Sequence, residues 1–445
     1  MTATEAGGEL PIEAQAPGLT PVQRAKAILG GSAGNLVEWY DWFAYSSFAL
    51  YFAKHFFPAG DRTAQLLGTA GVFWAGFLAR PIGAWLMGLY ADRAGRRAAL
   101  SLSVAMMCAG SFAIAIMPDY GVIGAAAPFA LLAARLVQGL SLGGEYGASA
   151  TYMSEVAGKQ NRGFWSSFQF MTLIMGQLTA LAVLIVLQAL LPKEALEAWA
   201  WRIPFVIGGA LAIVVFWIRR GLHESASFLA VQKAGAATEK HPPTLSLFLT
   251  YPRETWTIFG LTSAGSLAFY AYTTYMQKFL VNTAGFTKDA ATGISAASLV
   301  AYMLIQPLYG ALSDRIGRKT TLMFAFAAGA LATYPVMSQI AVTHDAVAAA
   351  MLNILLLAIL SGYTAVNAVL KAELFPAHIR ALGVALPYAL ANSIFGGSAE
   401  FAALKFKQAG HESGFYIYVA AVMAIAFLIT LTLKNTNRHS LIAED

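Results

Sequence analysis

The chain has 445 residues, 58% of them hydrophobic and only 12% charged, with a mean hydropathy of +0.60 and a formal charge of +6. A soluble globular chain carries about 25% charged residues, so too little polar surface remains here to cover a water-soluble body, and an integral membrane class is expected. The single cysteine, Cys108, excludes a disulfide framework and a cysteine-based metal site, and the seven histidines show no ligand spacing. The basic residues are scattered through short loops, which suits orientation in a bilayer and excludes nucleic acid as a partner.

Residues 1–20 are small, acidic and interrupted by Pro and Gly, so residues 1–27 read as a disordered tail. A spanning helix needs about 20 mostly apolar residues. Twelve stretches qualify, at about 28–52, 64–88, 98–117, 124–152, 163–191, 203–218, 255–281, 290–312, 320–340, 346–370, 381–404 and 414–434. The longest interruption, 219–253, is charged and contains Pro242-Pro243. It separates a six-helix bundle at 28–218 from a second at 254–434, and a short tail, 435–445, follows. With the N-terminus inside, 19 basic residues fall on the inner side and 8 on the outer, and Arg80 and Arg135 within spans complete the 29. Both termini and the central loop are therefore expected in the cytoplasm, at the inner membrane.

The halves repeat. Gly88-x-x-x-Asp92-Arg93-x-Gly95-Arg96 follows the second span, and Gly310-x-x-x-Asp314-Arg315-x-Gly317-Arg318 follows the eighth. Glu155 and Arg162 follow the fourth span, as Glu373 and Arg380 follow the tenth. Two parallel six-helix repeats describe a secondary-transporter plan, with a site near the midplane between them.

These residues carry a resemblance. The Gly88–Arg97 loop resembles the signature of the major facilitator superfamily, Arg135-x-x-Gln138-Gly139 that of its proton-coupled members, and Gly34–Asp41 the first helix of its metabolite:proton symporter branch. The runs 138–157, 273–285, 370–384 and 392–400 resemble members of that branch that carry 2-oxoglutarate. The resemblance covers roughly 28–434. It implies the all-α major facilitator fold of twelve transmembrane helices and proton symport of a small organic anion by alternating access. Its substrate would be 2-oxoglutarate, with citrate, shikimate, another dicarboxylate or proline/betaine as alternatives. A single chain would suffice, and no cofactor or metal is implied. The loop clusters, with Glu155 and Glu373, would hold the cytoplasmic side shut. A transporter-like sensor or a membrane enzyme fits less well: no signalling domain, nucleophile–base pair or nucleotide loop is apparent.

Charged residues inside spans are costly and mark functional candidates. Asn35, Glu38, Asp41 and Tyr45 share one face of the first helix, and Asp41 and Glu38 are either proton carriers or members of fixed ion pairs with a neighbouring helix. Arg80 cannot release its proton, so it either grips a substrate carboxylate or bridges permanently to Glu145, itself a candidate in proton coupling. Arg135 either joins the proton work and the substrate grip or pairs structurally with Asp41 or Glu38. Tyr45, Gln169, Tyr272 and Lys371 complete the expected substrate contacts. In the second half the polar stripes are expected to be uncharged, with Lys278 and Glu400 at the outer rim. Gly95 and Gly317 permit tight turns, and Asp92 and Asp314 can accept bonds from helix N-termini.

Overall fold

The computed structural model describes residues 21–94, 96–142, 159–220 and 246–433, and side chains among these except at 21–35, 88, 89, 91–100, 159, 215–220, 246, 377, 378 and 381. Twelve main helices, three of them in two pieces, follow one another in the described residues, with shorter helical turns between them. In the first half they are α1 (Pro21–Phe56), α2 (Arg62–Ala94), α3 (Arg96–Ile116), α4 (Ala126–Leu142), α5 (Phe168–Leu190, led by a short turn Arg162–Ser166) and α6 (Ile203–Arg220). In the second they are α7 (Pro252–Tyr272 and Thr274–Asn282), α8 (Lys288–Ile316), α9 (Arg318–Val342), α10 (Ala346–Thr364 and Asn367–Glu373), α11 (Ala377–Ala391 and Ala399–Gln408) and α12 (Glu412–Leu431).

Six of these stretches are long and apolar enough to cross a membrane by length and composition alone. α1, α7 and α11 are less apolar because their buried faces carry Glu38, Asp41, Lys278 and Glu400 together with several Ser, Thr and Tyr.

Three spans read as continuous in the sequence are broken. α7 breaks at Thr273, whose hydroxyl donates to the Phe269 carbonyl at 2.7 Å, the back-bonding that bends helices at β-branched hydroxyl residues. α10 breaks after Thr364. α11 runs through a π turn at Asn392–Gly396, a geometry that collects at functional sites.

In the first half α1 packs on α5 and α6, and α2 on α4; in the second α9 packs on α10 and α12, and α8 on α10. The halves meet along two seams, α5 against α8 and α2 against α11, while α1 reaches the second part of α7. Pro81 helps to build one seam. A proline cannot donate to the carbonyl four residues back, which leaves Phe77 oxygen free, and Ser393 of the π turn donates to it at 2.6 Å. Trp74 Nε1 returns the contact to the Ser393 carbonyl at 3.0 Å. The helix 1 aromatics Trp42, Phe43, Tyr45, Phe48 and Phe52 are fully buried and form the centre of the core.

Candidate functional site

Arg80 and Arg135 come from different helices to one ring. Their guanidinium carbons each lie 4.0 Å from the Trp42 ring centroid, so they are at most about 8 Å apart, twice that distance. Arg80 also rests on Phe77 at 4.1 Å, and Arg135 on Tyr45 at 4.4 Å. Both arginines are buried, and Nε and Nη2 of each have no hydrogen-bond partner. Stacking on aromatic faces compensates part of the desolvation, but it leaves the in-plane donors unused. Buried donors without partners are rare and costly. Such a pair of forks can take the oxygens of carboxylates.

Asp41, one helical turn from Glu38 on α1, sits in a second arrangement. Its Oδ2 accepts from Gln138 Nε2 at 2.6 Å, and its Oδ1 accepts a short hydrogen bond from Ser111 of α3. Gln138 in turn accepts from Arg135 Nη1 at 2.8 Å. Arg135 therefore reaches Asp41 through an amide relay. α6 closes the fourth side at Gly208, where a Cβ would stand 2.5 Å from Asp41 Oδ1. Glu38 is buried and is an electrostatic neighbour of Arg80.

Across the seam Arg80 faces the second half: Tyr270 of α7 and Tyr388 of α11 are its electrostatic neighbours. Phe77 stands edge-on to Tyr270 at 5.2 Å. Gly396 of the π turn lets the backbone approach that tyrosine, since a Cβ there would lie 2.9 Å from its ring. Phe170, Leu173, Ser266, Tyr270, Tyr388 and Asn392 line a cavity of about 10 Å³ between the halves, room for about one water.

The other expected contacts are distributed differently. Tyr45 commits its hydroxyl to the Thr69 carbonyl at 3.0 Å and offers only its ring to Arg135. Tyr272 points into the second half, bonded to Thr333 at 2.6 Å; Tyr270, two residues earlier, is the tyrosine that faces Arg80. Gln169 is buried on α5. Lys371 is buried with its ammonium 4.0 Å from the Tyr388 ring centroid, which places it beside the second tyrosine near Arg80. Tyr270, Tyr388 and Asn392 lie on the polar stripes of their helices, and that spacing was the available signal.

Two clasps close the halves on each other. At the end bearing the Asp314 turn, here the motif end, Asp314 accepts the backbone N–H groups of Gly163 and Phe164 at 2.8 and 2.9 Å, an anion at the start of a helical turn. Arg318 holds Asp314 at 2.8 Å and reaches Glu373 at 3.7 Å, and Arg162 approaches Glu373 at 3.9 Å. Gly317 makes the α8–α9 turn at φ 94°. Arg315 is exposed and stands apart from the clasp. Gly95, Glu145 and Glu155 lie outside the described residues, as do the side chains of Asp92, Arg93 and Arg96, while Gly88 is described only as part of the α2 backbone.

At the opposite, far end Glu197 accepts Lys54 of α1 at 2.7 Å and Lys288 of α8 at 2.6 Å. A cleft of about 460 Å³ opens there, lined among others by Tyr51, Arg62, Glu197 and Lys288. Deeper in, against Ser46 of α1, is a pair from α7 and α11 that corrects the expected neutral second half and the placing of Lys278 and Glu400 at the rim. Lys278 and Glu400 are 0% and 3% exposed and lie 2.7 Å apart. Each side chain needs a counter-charge once desolvated, and α7 and α11 bring them together, a meeting that spacing along either helix alone does not reveal.

The comparisons agree with this architecture. The model of the family described as "Sugar (and other) transporter" matches residues 27–241 and 234–442. The alpha-ketoglutarate permease of Escherichia coli (strain K12) is 52% identical over 418 residues, covering 94% of this chain and 95% of that protein. The citrate-proton symporter of Salmonella typhi is 34% identical over 90% of this chain and 92% of its own length. Among solved structures, a D-xylose-proton symporter superposes with a TM-score of 0.75 at 19% identity, covering 93% of this chain and 98% of that one, a likeness of fold. The chain therefore belongs to the sugar (and other) transporter family, with the major facilitator fold and as a multi-pass membrane protein.

Proposed function

We propose that this chain imports 2-oxoglutarate with protons by alternating access, both termini and the central loop lying in the cytoplasm and one chain sufficing. The observation that carries the substrate is the pair of buried arginines on Trp42, each with two unpartnered guanidinium nitrogens, at the seam where the halves part. A dicarboxylate supplies two planar acceptors, one for Arg80 and one for Arg135, with Tyr270 and Tyr388 giving neutral bonds from the opposite half. The 52% identity to an alpha-ketoglutarate permease supports the same substrate.

Asp41 is the proton carrier in this reading. Its described hydrogen-bond partners, Ser111 and Gln138, are neutral and the Arg135 charge lies one amide away, so it can lose or gain a proton without breaking a direct ion pair. Glu38 is the counter-charge of Arg80 and a second titratable group on the same face. Inside-negative potential opposes each inward negative charge by about 2.3 kcal/mol per 100 mV, so a dianion needs at least two protons to avoid moving against it. The motif end is the cytoplasmic gate, from the excess of basic residues in the loops on that side.

Counterflow of labelled 2-oxoglutarate in proteoliposomes, under an imposed pH gradient and challenged with citrate, shikimate, succinate, proline and betaine, tests the whole reading. Proton-driven accumulation competed best by unlabelled 2-oxoglutarate is expected. Stronger competition by another acid reassigns the substrate, and binding without counterflow makes the protein a sensor. Thiol labelling of a cysteine placed in the central loop tests orientation; reactivity from outside right-side-out vesicles overturns it.

A further inference from the structure

The pair of Lys278 and Glu400 makes no hydrogen bond to Arg80, Arg135 or Asp41, yet it is the most completely buried ion pair among the described residues. It is also not contained in one half. Lys278 Nζ donates to Ser46 Oγ of α1 at 2.6 Å as well as to Glu400 Oε2 at 2.7 Å, and Ser46 Oγ lies 3.4 Å from the same carboxylate oxygen. A charge pair of the second half is thus clasped by a hydroxyl of the first. Parting of the halves at the far end removes that hydroxyl and admits water, so the surroundings of Glu400 alternate with the transport cycle. A static stabilising pair would need no contact with the moving seam, and a buried pair as such adds little stability over a well-packed apolar one.

Its position ties it to the central site. Ser46 follows Asp41 by five residues on α1, about 7.5 Å along the axis. Tyr45 lies between, with its ring on Arg135 at 4.4 Å and with Glu400 as a further electrostatic neighbour. The groups facing Glu400 are Lys278 and Tyr275 from α7 and Tyr45 and Ser46 from α1. Tyr275 also approaches Glu412 of α12 at 3.3 Å. α2 meets this part of α11 through Gly71 and Trp74 on Phe401, which are uncharged.

We infer that Glu400, held by Lys278 and Ser46, is a second proton-binding site of the transport cycle. One proton from water at the opened far end binds the Glu400 carboxylate, its ion pair with Lys278 is given up, and the ammonium is left as an uncompensated positive charge toward the bound dianion. When the substrate leaves at the other end, the proton leaves with it and Lys278 reclaims the carboxylate. The step moves one proton and breaks no covalent bond other than that O–H. It rests on the proton-coupled 2-oxoglutarate reading and names the second proton that reading requires.

The test is the pH dependence of 2-oxoglutarate affinity of the purified full-length protein in detergent. By linkage, the slope of log Kd against pH counts the protons taken up with the ligand. Glu400→Gln is expected to lower that slope by one, so that affinity changes tenfold less per pH unit than in the parent. Since a lone buried lysine can prevent folding, the double variant Lys278→Met/Glu400→Gln is measured beside it, with the same expectation. Asp41→Asn should lower the slope separately, and adding it to the double variant should lower it again. A folded double variant with the parent's slope overturns the assignment and leaves the pair a static strut. A folded double variant that no longer binds overturns it too, by placing the pair in the substrate grip. If the parent's own affinity is independent of pH, the proton-coupled reading falls and this assignment with it, a result distinct from an unchanged slope in the variant alone.

Discussion

Gly163 and Gly310, on opposite halves, bring α8 and the start of α5 together backbone to backbone: a Cβ on either would stand 2.6 Å from the carbonyl oxygen of the other. Gly310 is also the first residue of the Gly-x-x-x-Asp turn whose Asp314 accepts the Gly163 and Phe164 amides. Glycine at 310 is therefore a condition for the carboxylate to reach its donors. Small residues at such crossings allow the approach that membrane helices need.

Gly310→Ala is accordingly expected to hold the motif end apart without unfolding either half. Overpacking of this kind costs about 1–3 kcal/mol, which moves a two-state equilibrium by roughly 5- to 150-fold. A cysteine at Ser167, buried in the closed seam, should then react faster with a thiol reagent, in a background with Cys108 replaced. An unchanged labelling rate with normal transport shows that the seam adapts and that the glycine is not required for closure.

Arg80 offers a second test. Loss of a charge-assisted partner in a desolvated site costs about 2–5 kcal/mol, on the order of thirtyfold or more in affinity. Arg80→Lys should bind 2-oxoglutarate weakly, because an ammonium cannot match two carboxylate oxygens in one plane, and Arg80→Gln should hardly bind. The competing account makes Arg80 a permanent partner of Glu145. Binding titrations on Arg80→Gln/Glu145→Gln separate the two, and recovered affinity in the double variant would falsify the substrate role.

The relay from Arg135 through Gln138 to Asp41 gives a third. Asp41→Asn keeps the shape and the Gln138 contact but holds no exchangeable charge. It should abolish accumulation driven by a pH gradient while retaining exchange of labelled for unlabelled substrate. Gln138→Leu should disturb both, since it removes the acceptor of Arg135 Nη1 and leaves that buried donor unmade, a loss of about 1–3 kcal/mol or more. Normal gradient-driven accumulation by Asp41→Asn removes Asp41 from coupling.

The helices, their repeat in two sixes and the presence of Arg80 and Arg135 inside them were legible because each is a property of one helix: apolar length, charge within it, and a repeated turn. The sequence reading also placed Glu38, Asp41 and Tyr45 on one face, as the helix has them. Relationships between helices were not legible. The polar stripe along α7 includes Tyr270 and leaves out Tyr272, but which group each tyrosine faces, Arg80 for the one and Thr333 for the other, depends on the neighbouring helices. Lys278 and Glu400 stand 122 residues apart and each lies toward the end of its helix, so a rim position followed for both; the structure buries them together. The breaks at Thr273 and at the π turn of α11 depend on local hydrogen bonds that hydropathy does not register.

The far-end clasp makes the last prediction. Partial burial of Glu197 works against its charge, but the two lysine ammonium groups, Lys288 and Lys54, outweigh it and hold the carboxyl down at about 2, from an ordinary 4.5. A carboxyl whose folded value is depressed contributes stability that is fully present above its unfolded value and is lost as pH falls through its folded value. Here that window runs from 4.5 down to about 2. Glu197 is about one-third exposed, so salt screens the contribution and it is modest. The thermal stability of the parent minus that of Glu197→Gln should therefore be constant between pH 7 and about 5, shrink as pH falls below 4.5, and shrink also with added salt at pH 7. Because Lys54 and Lys288 belong to different halves, the same variant should increase labelling of a cysteine at Gln188, which lines the far-end cleft. A stability difference that grows on acidification below pH 4.5 contradicts the clasp, and one that is insensitive to salt contradicts its ionic character.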